Sequence, residues 1–180
     1  MTGSETLTPA SSEDAPGFYV GSEVGRLRRV LVHRPDLSLQ RLTPTNVRDL
    51  LFDDVLWVRR AREQHDVFVD HLRERGVEVY LLRDLRSETL ASSDHARREV
   101  VGHVVTERSV GASLREEIRA YLLEMDPGDL ATHLIGGLAM SELEGIDLSS
   151  SLVARATPET SFVLPPLPNS LFTRDSSSWI

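Results

Sequence analysis

Phe172 and Asp175 end the run Pro165-Pro166-Leu167-Pro168-Asn169-Ser170-Leu171-Phe172-Thr173-Arg174-Asp175, and an aromatic face beside a carboxylate suits a flat cation. The prolines and Asn169 rule out helix and favour a rigid loop, which displays both side chains on one short stretch of chain. Plainer roles compete for each residue. Asp175 can cap a turn or pair with Arg174, Phe172 can fill a core, and an Asn after Pro is a common turn residue. Arg174 reads as a brace of the loop, since a cation beside a cationic guest would oppose binding.

Other chemistries find little support. The 180 residues contain no cysteine, so they offer no disulfide, no cysteine-bound zinc and no thiolate nucleophile. Six histidines are present, but His65 and His71 stand six apart on a helical pattern and point different ways, and there is no His-Glu-x-x-His; they read as helix-face residues. Ser176-Ser177-Ser178 lacks a nucleophile elbow, and no glycine-rich phosphate loop or solenoid repeat occurs. A net charge of -8 and a pI near 5.2 argue against nucleic-acid binding, which needs Lys and Arg gathered on one face. All 20 basic residues are Arg, a pattern of codon bias rather than of function. No apolar run approaches the ~20 residues of a membrane span, and the polar opening has no signal-peptide pattern, so the expected location is cytoplasmic, away from membranes.

Several elements must position the loop. Residues 1–20, rich in Ser, Thr, Pro and acids up to Pro16, are expected to be a disordered tail. Arg26 to His33 alternates and predicts a strand. Thr43 caps, Pro44 suits a first helical position, and Leu42 can staple to Val47, which predicts a short helix over Pro44–Leu51. Asp53 and Asp54 read as acids at the start of the next helix. That helix is carried by Val55, Val58, Ala61, His65, Phe68, Val69 and Leu72 and stopped by Gly76. Val77 to Leu82 predicts a second strand, parallel to the first across a right-handed crossover. From Asp84 to about Ala156 the chain reads as a helical bundle without strands: Ser93–Val105, Ser113–Met125, Asp129–Leu134 and Ser141–Leu152, with Leu114, Ile118, Tyr121 and Leu122 as an apolar stripe. Ser161 to Leu164 returns to strand and delivers the loop.

The loop resembles the Pro-Asn-x-x-Phe-Thr-Arg-Asp signature of the arginine deiminases. Gly21 to Val32, Leu42 to Asn46, Leu50 to Val55, Arg73 to Val79 and Leu134 to Gly137 are also similar to that family, so the likeness covers roughly Gly21 to Ile180. The resemblance implies an α/β fold, part of a five-bladed α/β propeller. On that expectation 21–83 is the first blade, 84–157 an inserted α-helical bundle, and 158–180 the start of a second, truncated blade.

The family hydrolyses L-arginine to citrulline and ammonia. A cysteine thiolate attacks the guanidinium carbon, a histidine moves protons, and acids hold the guanidinium through paired charge-assisted hydrogen bonds. By resemblance Asp175 is the first guanidinium-binding acid and the one catalytic-site group here, with Phe172, Asn169 and Leu51 as further substrate-binding residues. The family's Cys, His and second acid lie beyond Asp175. The expectation is therefore an N-terminal arginine deiminase fragment that is inactive alone, binds L-arginine weakly or not at all, and requires no cofactor or metal. The alternatives are a non-catalytic binding or regulatory module, or one half of a split deiminase that pairs with a complementary C-terminal fragment. An interrupted ring would leave edges open, so self-association is expected when these residues are expressed alone.

Overall fold

A computed structural model describes residues 22, 24–147 and 161–175. The expected disordered tail and the Ser176 to Ser178 run lie outside these residues, as do residues 148–152 of the expected helix Ser141–Leu152; its described part, 141–147, is not α-helical and carries only the end of a 3-10 turn over Met140–Glu142. In chain order, β1 (Arg29–Val32) and α1 (Leu37–Gln40) lead through turns to α2 (Val58–Glu74) and β2 (Glu78–Leu81). The two strands pair in parallel, from Arg29 opposite Glu78 to Val32 opposite Leu81, so the strand–helix–strand reading holds. Gly76, at φ 75°, makes the left-handed turn that ends α2 and returns the chain to β2.

Five helices follow: α3 (Leu82–Ser92), α4 (Asp94–Val104), α5 (Glu107–Val110), α6 (Arg115–Glu124) and α7 (Pro127–Gly136). Their starts are written in the sequence. Ser93 Oγ accepts from the Ala96 N–H at 3.2 Å, and Asp126 accepts from the Gly128 N–H at 2.8 Å with Pro127 in the first helical position. The apolar stripe is realised. Leu114, Ile118 and Leu122 are fully buried with Val105 and Leu130, and Tyr121 packs beside them. Beyond α7, β3 (Leu138–Ala139) pairs antiparallel with β4 (Phe162–Leu164). The strand expected over Ser161 to Leu164 is thus present, but its partner lies within the stretch read as free of strands. Among the described residues the result is a mixed helix and strand architecture with two separate two-stranded sheets and no closed sheet.

Two contacts bind the first layer to the bundle. At Gly136 an added Cβ would stand 2.7 Å from side-chain atoms of Leu37, so only glycine lets α1 and α7 approach this closely. Arg41 reaches across to Glu142 with Nη2 2.6 and 2.8 Å from the two carboxylate oxygens, while its guanidinium lies 5.5 Å from the centre of the Phe162 ring. Glu142 also accepts from the Ala139 N–H at 2.8 Å. Burial works against ionisation of that carboxyl, yet the Ala139 N–H and Arg41 hold its pKa below the ordinary glutamate value.

Other details depart from the sequence reading. Residues 44–51 form successive turns rather than a continuous helix, although Leu42 and Val47 share a buried cluster as the staple requires. The helix expected from Val55 begins at Val58, which leaves Asp53 and Asp54 ahead of it; Asp54 Oδ1 instead accepts from the Val55 N–H at 2.7 Å. Phe68 is 52% exposed, because α2 packs one face on a sheet only two strands wide and Phe68 falls on its flank. The helix α3 falls mostly within the stretch from Asp84 read as a helical bundle, but no separate helix was named there.

Candidate functional site

The loop after β4 is held in place by backbone geometry. Gly137, at φ 85°, lies so close to the Leu164 carbonyl and the Pro166 nitrogen that a Cβ would stand 2.9 Å from each. The Leu167 N–H then donates to the Ile135 carbonyl at 2.9 Å. Pro168 opens a 3-10 turn over Pro168–Leu171, and Leu171 packs against the cluster of Leu39, Leu42 and Val47. The Phe172 N–H donates to the Asn169 carbonyl, and the Asp175 N–H to the Phe172 carbonyl, each at 3.0 Å, so the chain stays coiled through the last four residues of the motif.

Side chains of the loop reach far back in sequence. Asn169 Nδ2 donates to the Leu50 carbonyl at 3.1 Å, and Thr173 Oγ1 donates to the Leu31 carbonyl of β1 at 2.9 Å. Phe172 stacks on Phe52 with ring centres 6.3 Å apart and planes inclined by 27°, while remaining 49% exposed. Leu51, between those two partners, is 81% exposed. Asp175 is exposed, and no hydrogen bond or ion pair to another described residue engages its carboxylate. The structure therefore brings Asn169, Phe172 and the Leu50–Phe52 turn together and carries Asp175 on the same coil. An aromatic face with one side open and an unengaged carboxylate can receive a flat cation, the ring contributing about 1 kcal/mol.

The bond from Thr173 and the ring partner Phe52 were missed by the sequence reading. Both residues lay inside the quoted motifs, but their contacts cross more than a hundred positions and leave no local signal. His33 stands at the end of the strand expected over Arg26 to His33, directly after β1, but it is only 4% exposed with neither ring nitrogen hydrogen-bonded, which the sequence reading did not anticipate. It lines a small cavity with Asp36, Ser38, Arg83 and Thr132. Burial lowers its pKa; Asp36 opposes this, while His65, Arg86 and Arg83 add to it. His65 on α2 is likewise buried at both ring nitrogens without partners, and burial is the main cause of its lowered pKa. Close by, Arg34 donates to both oxygens of Asp66 at 2.7 and 2.6 Å, which holds the Asp66 carboxyl below its ordinary value. Among the described residues no three His, Asp or Glu side chains are arranged to hold a metal ion, and no helix is long and apolar enough to cross a membrane.

A family model described as arginine deiminase matches residues 48–180. The arginine deiminase of Rhodococcus jostii (strain RHA1) is 51% identical over 170 residues, which cover 94% of this chain and 42% of that protein. That of Rhodococcus opacus (strain B4) is 50% identical over 170 residues, with the same coverage. The chain thus spans about two-fifths of the length of the curated relatives it matches.

Proposed function

The chain belongs to the arginine deiminase family, and we propose that its loop 165–175 is the part of an arginine-hydrolysing site that clasps the guanidinium group. Asp175 supplies the carboxylate whose two oxygens match the fork of guanidinium donors, and Phe172 supplies a face for the delocalised charge. Asn169 has one amide hydrogen committed to Leu50, which leaves its carbonyl and second hydrogen for the amino-acid end of the substrate. Leu51 lines the same mouth. One observation carries this reading: the loop is docked by its own side chains onto two backbone carbonyls far away in sequence, and the carboxylate it ends on is engaged by no other described residue.

We further read β1, α2 and β2 as the first blade of the family's ring, with 84–157 as the inserted bundle stitched to residues 158–180 through the β3–β4 pair. Leu51, Trp57, Phe68 and Phe172 stand in water on the blade side, which supports a complementary polypeptide segment of the same family as the partner of this surface. Without a thiolate in these 180 residues the covalent route has no nucleophile, and removal of such a group ordinarily lowers turnover by about 10⁴ to 10⁶. Purified chain mixed with L-arginine is therefore expected to form citrulline at background rate. Formation above background that Asp175→Ala abolishes would contradict the proposed inactivity while supporting the clasp.

A further inference from the structure

Leu51 has φ 63°, and among the described residues no other non-glycine residue has a positive φ. Its place explains the angle. The Phe52 N–H donates to the Val47 carbonyl at 2.9 Å and the Leu51 N–H to the Arg48 carbonyl at 3.1 Å, the paired bonds of a Schellman motif, in which Val47 and Phe52 also meet in the usual apolar contact. Glycine is the ordinary occupant of the left-handed position, because any Cβ there crowds the following carbonyl. A leucine gains nothing in return from burial, since its side chain is mostly in water. Yet its two neighbours are the ones that hold the loop: Leu50 accepts from Asn169, and Phe52 stacks on Phe172.

We propose that Leu51 is a positioning residue acting through its backbone, whose left-handed turn aims the Leu50 carbonyl and the Phe52 ring together at the 165–175 loop and so sets where Phe172 and Asp175 stand. An extended or right-handed angle at this point would break the Phe52 to Val47 bond and swing the ring away from the direction of the Leu50 carbonyl. The functional meaning rests on the guanidinium-clasp reading; the geometry does not.

An inverted substitution pattern follows. Removal of the whole side chain in Leu51→Gly preserves the turn, whereas the closer analogue in Leu51→Val opposes it, because a β-branched residue tolerates positive φ least. The test uses the full 180-residue chain, reading the Asn169 side-chain amide and the Asp175 backbone amide by NMR together with the melting temperature. Leu51→Gly is expected to keep both resonances and to melt at the same temperature or about 2–4 °C higher, and Leu51→Val to move both and melt lower by a similar amount. Should Leu51→Val fail to fold, Leu51→Thr, which is also β-branched, takes its place, with a shift in the same direction. Glycine moving the two resonances as far as valine, or valine leaving them in place, overturns the proposal. None of these readouts involves arginine, so failure here is separate from failure of the clasp, which Asp175 variants report.

Discussion

The helical bundle and the β1–α2 layer treat their side chains in opposite ways. In the bundle Leu114, Ile118, Leu122 and Leu130 are wholly buried, and caps close the ends of α4 and α7. In the layer Trp57 and Phe68 face water, the ring nitrogens of His33 and His65 are buried without hydrogen-bond partners, and Leu51 holds a conformation leucine avoids. A region that satisfies its own groups supplies stability; a region that leaves them unsatisfied is where binding and assembly are found. The candidate site stands on the second kind of surface and is anchored to the first through Ile135, Gly136 and Gly137.

The contrast is sharpest in the bundle core. Ile118→Ala is expected to lower unfolding free energy by about 2–5 kcal/mol, because a fully buried side chain leaves a cavity behind. Denaturant melts measure this directly, and a loss below about 1 kcal/mol would mean that the bundle is not the stabilising half. Gly137→Ala comes next, at about 2–3 kcal/mol, since it combines a left-handed angle with a Cβ 2.9 Å from the backbone of the loop. It should also shift the Phe172 and Asp175 resonances, which Ile118→Ala should not.

The orphaned histidine gives a pH test of the layer. With the folded pKa of His33 below the ordinary 6.5, the unfolded chain binds the proton first as pH falls. The stability tied to neutral His33 is therefore complete above about pH 6.5 and is lost as pH drops through the lowered folded value. Protonation would set a cation among Arg83, Arg86 and His65, opposed by Asp36, which Arg62 already engages. His33→Gln should flatten the decline in melting temperature between pH 6.5 and 5; an unchanged slope would assign the acid sensitivity elsewhere. The smallest effect is expected at Phe68. Its replacement by Ser should change unfolding free energy by less than about 1 kcal/mol while reducing self-association in sizing experiments.

Much of this contrast was legible beforehand, and the exceptions have physical causes. The helix start at Ser93, the stripe on α6 and the stop at Gly76 are local signals, and each was read from adjacent residues; the start of α7 was set two residues late, at Asp129, because Pro127-Gly128 reads as a break although Asp126 caps the helix there. The helix α3 was not named separately because β2 runs into it from Leu81 to Leu82 with no glycine, proline or side-chain cap between them. The strand β3 is two residues long and exists through pairing with β4, which no local pattern announces. In the site, the types of Asn169, Phe172 and Asp175 declared the chemistry, but the anchors on Leu31 and Leu50 come from remote backbone, where any residue type would offer the same carbonyl. The burial of His33 without hydrogen-bond partners left no local signal, because it is a property of the fold around it and not of its neighbours in sequence.

The central claim, that Asp175 clasps the guanidinium, is tested most directly in a chimera. The present residues would replace the matching 170-residue stretch of the Rhodococcus jostii arginine deiminase, and citrulline formation would be compared with and without Asp175→Ala. Loss of a paired, charge-assisted contact to the substrate should lower kcat/KM by at least about 10²- to 10³-fold, with the melting temperature unchanged. A chimera that forms citrulline equally well with alanine at this position would contradict the account.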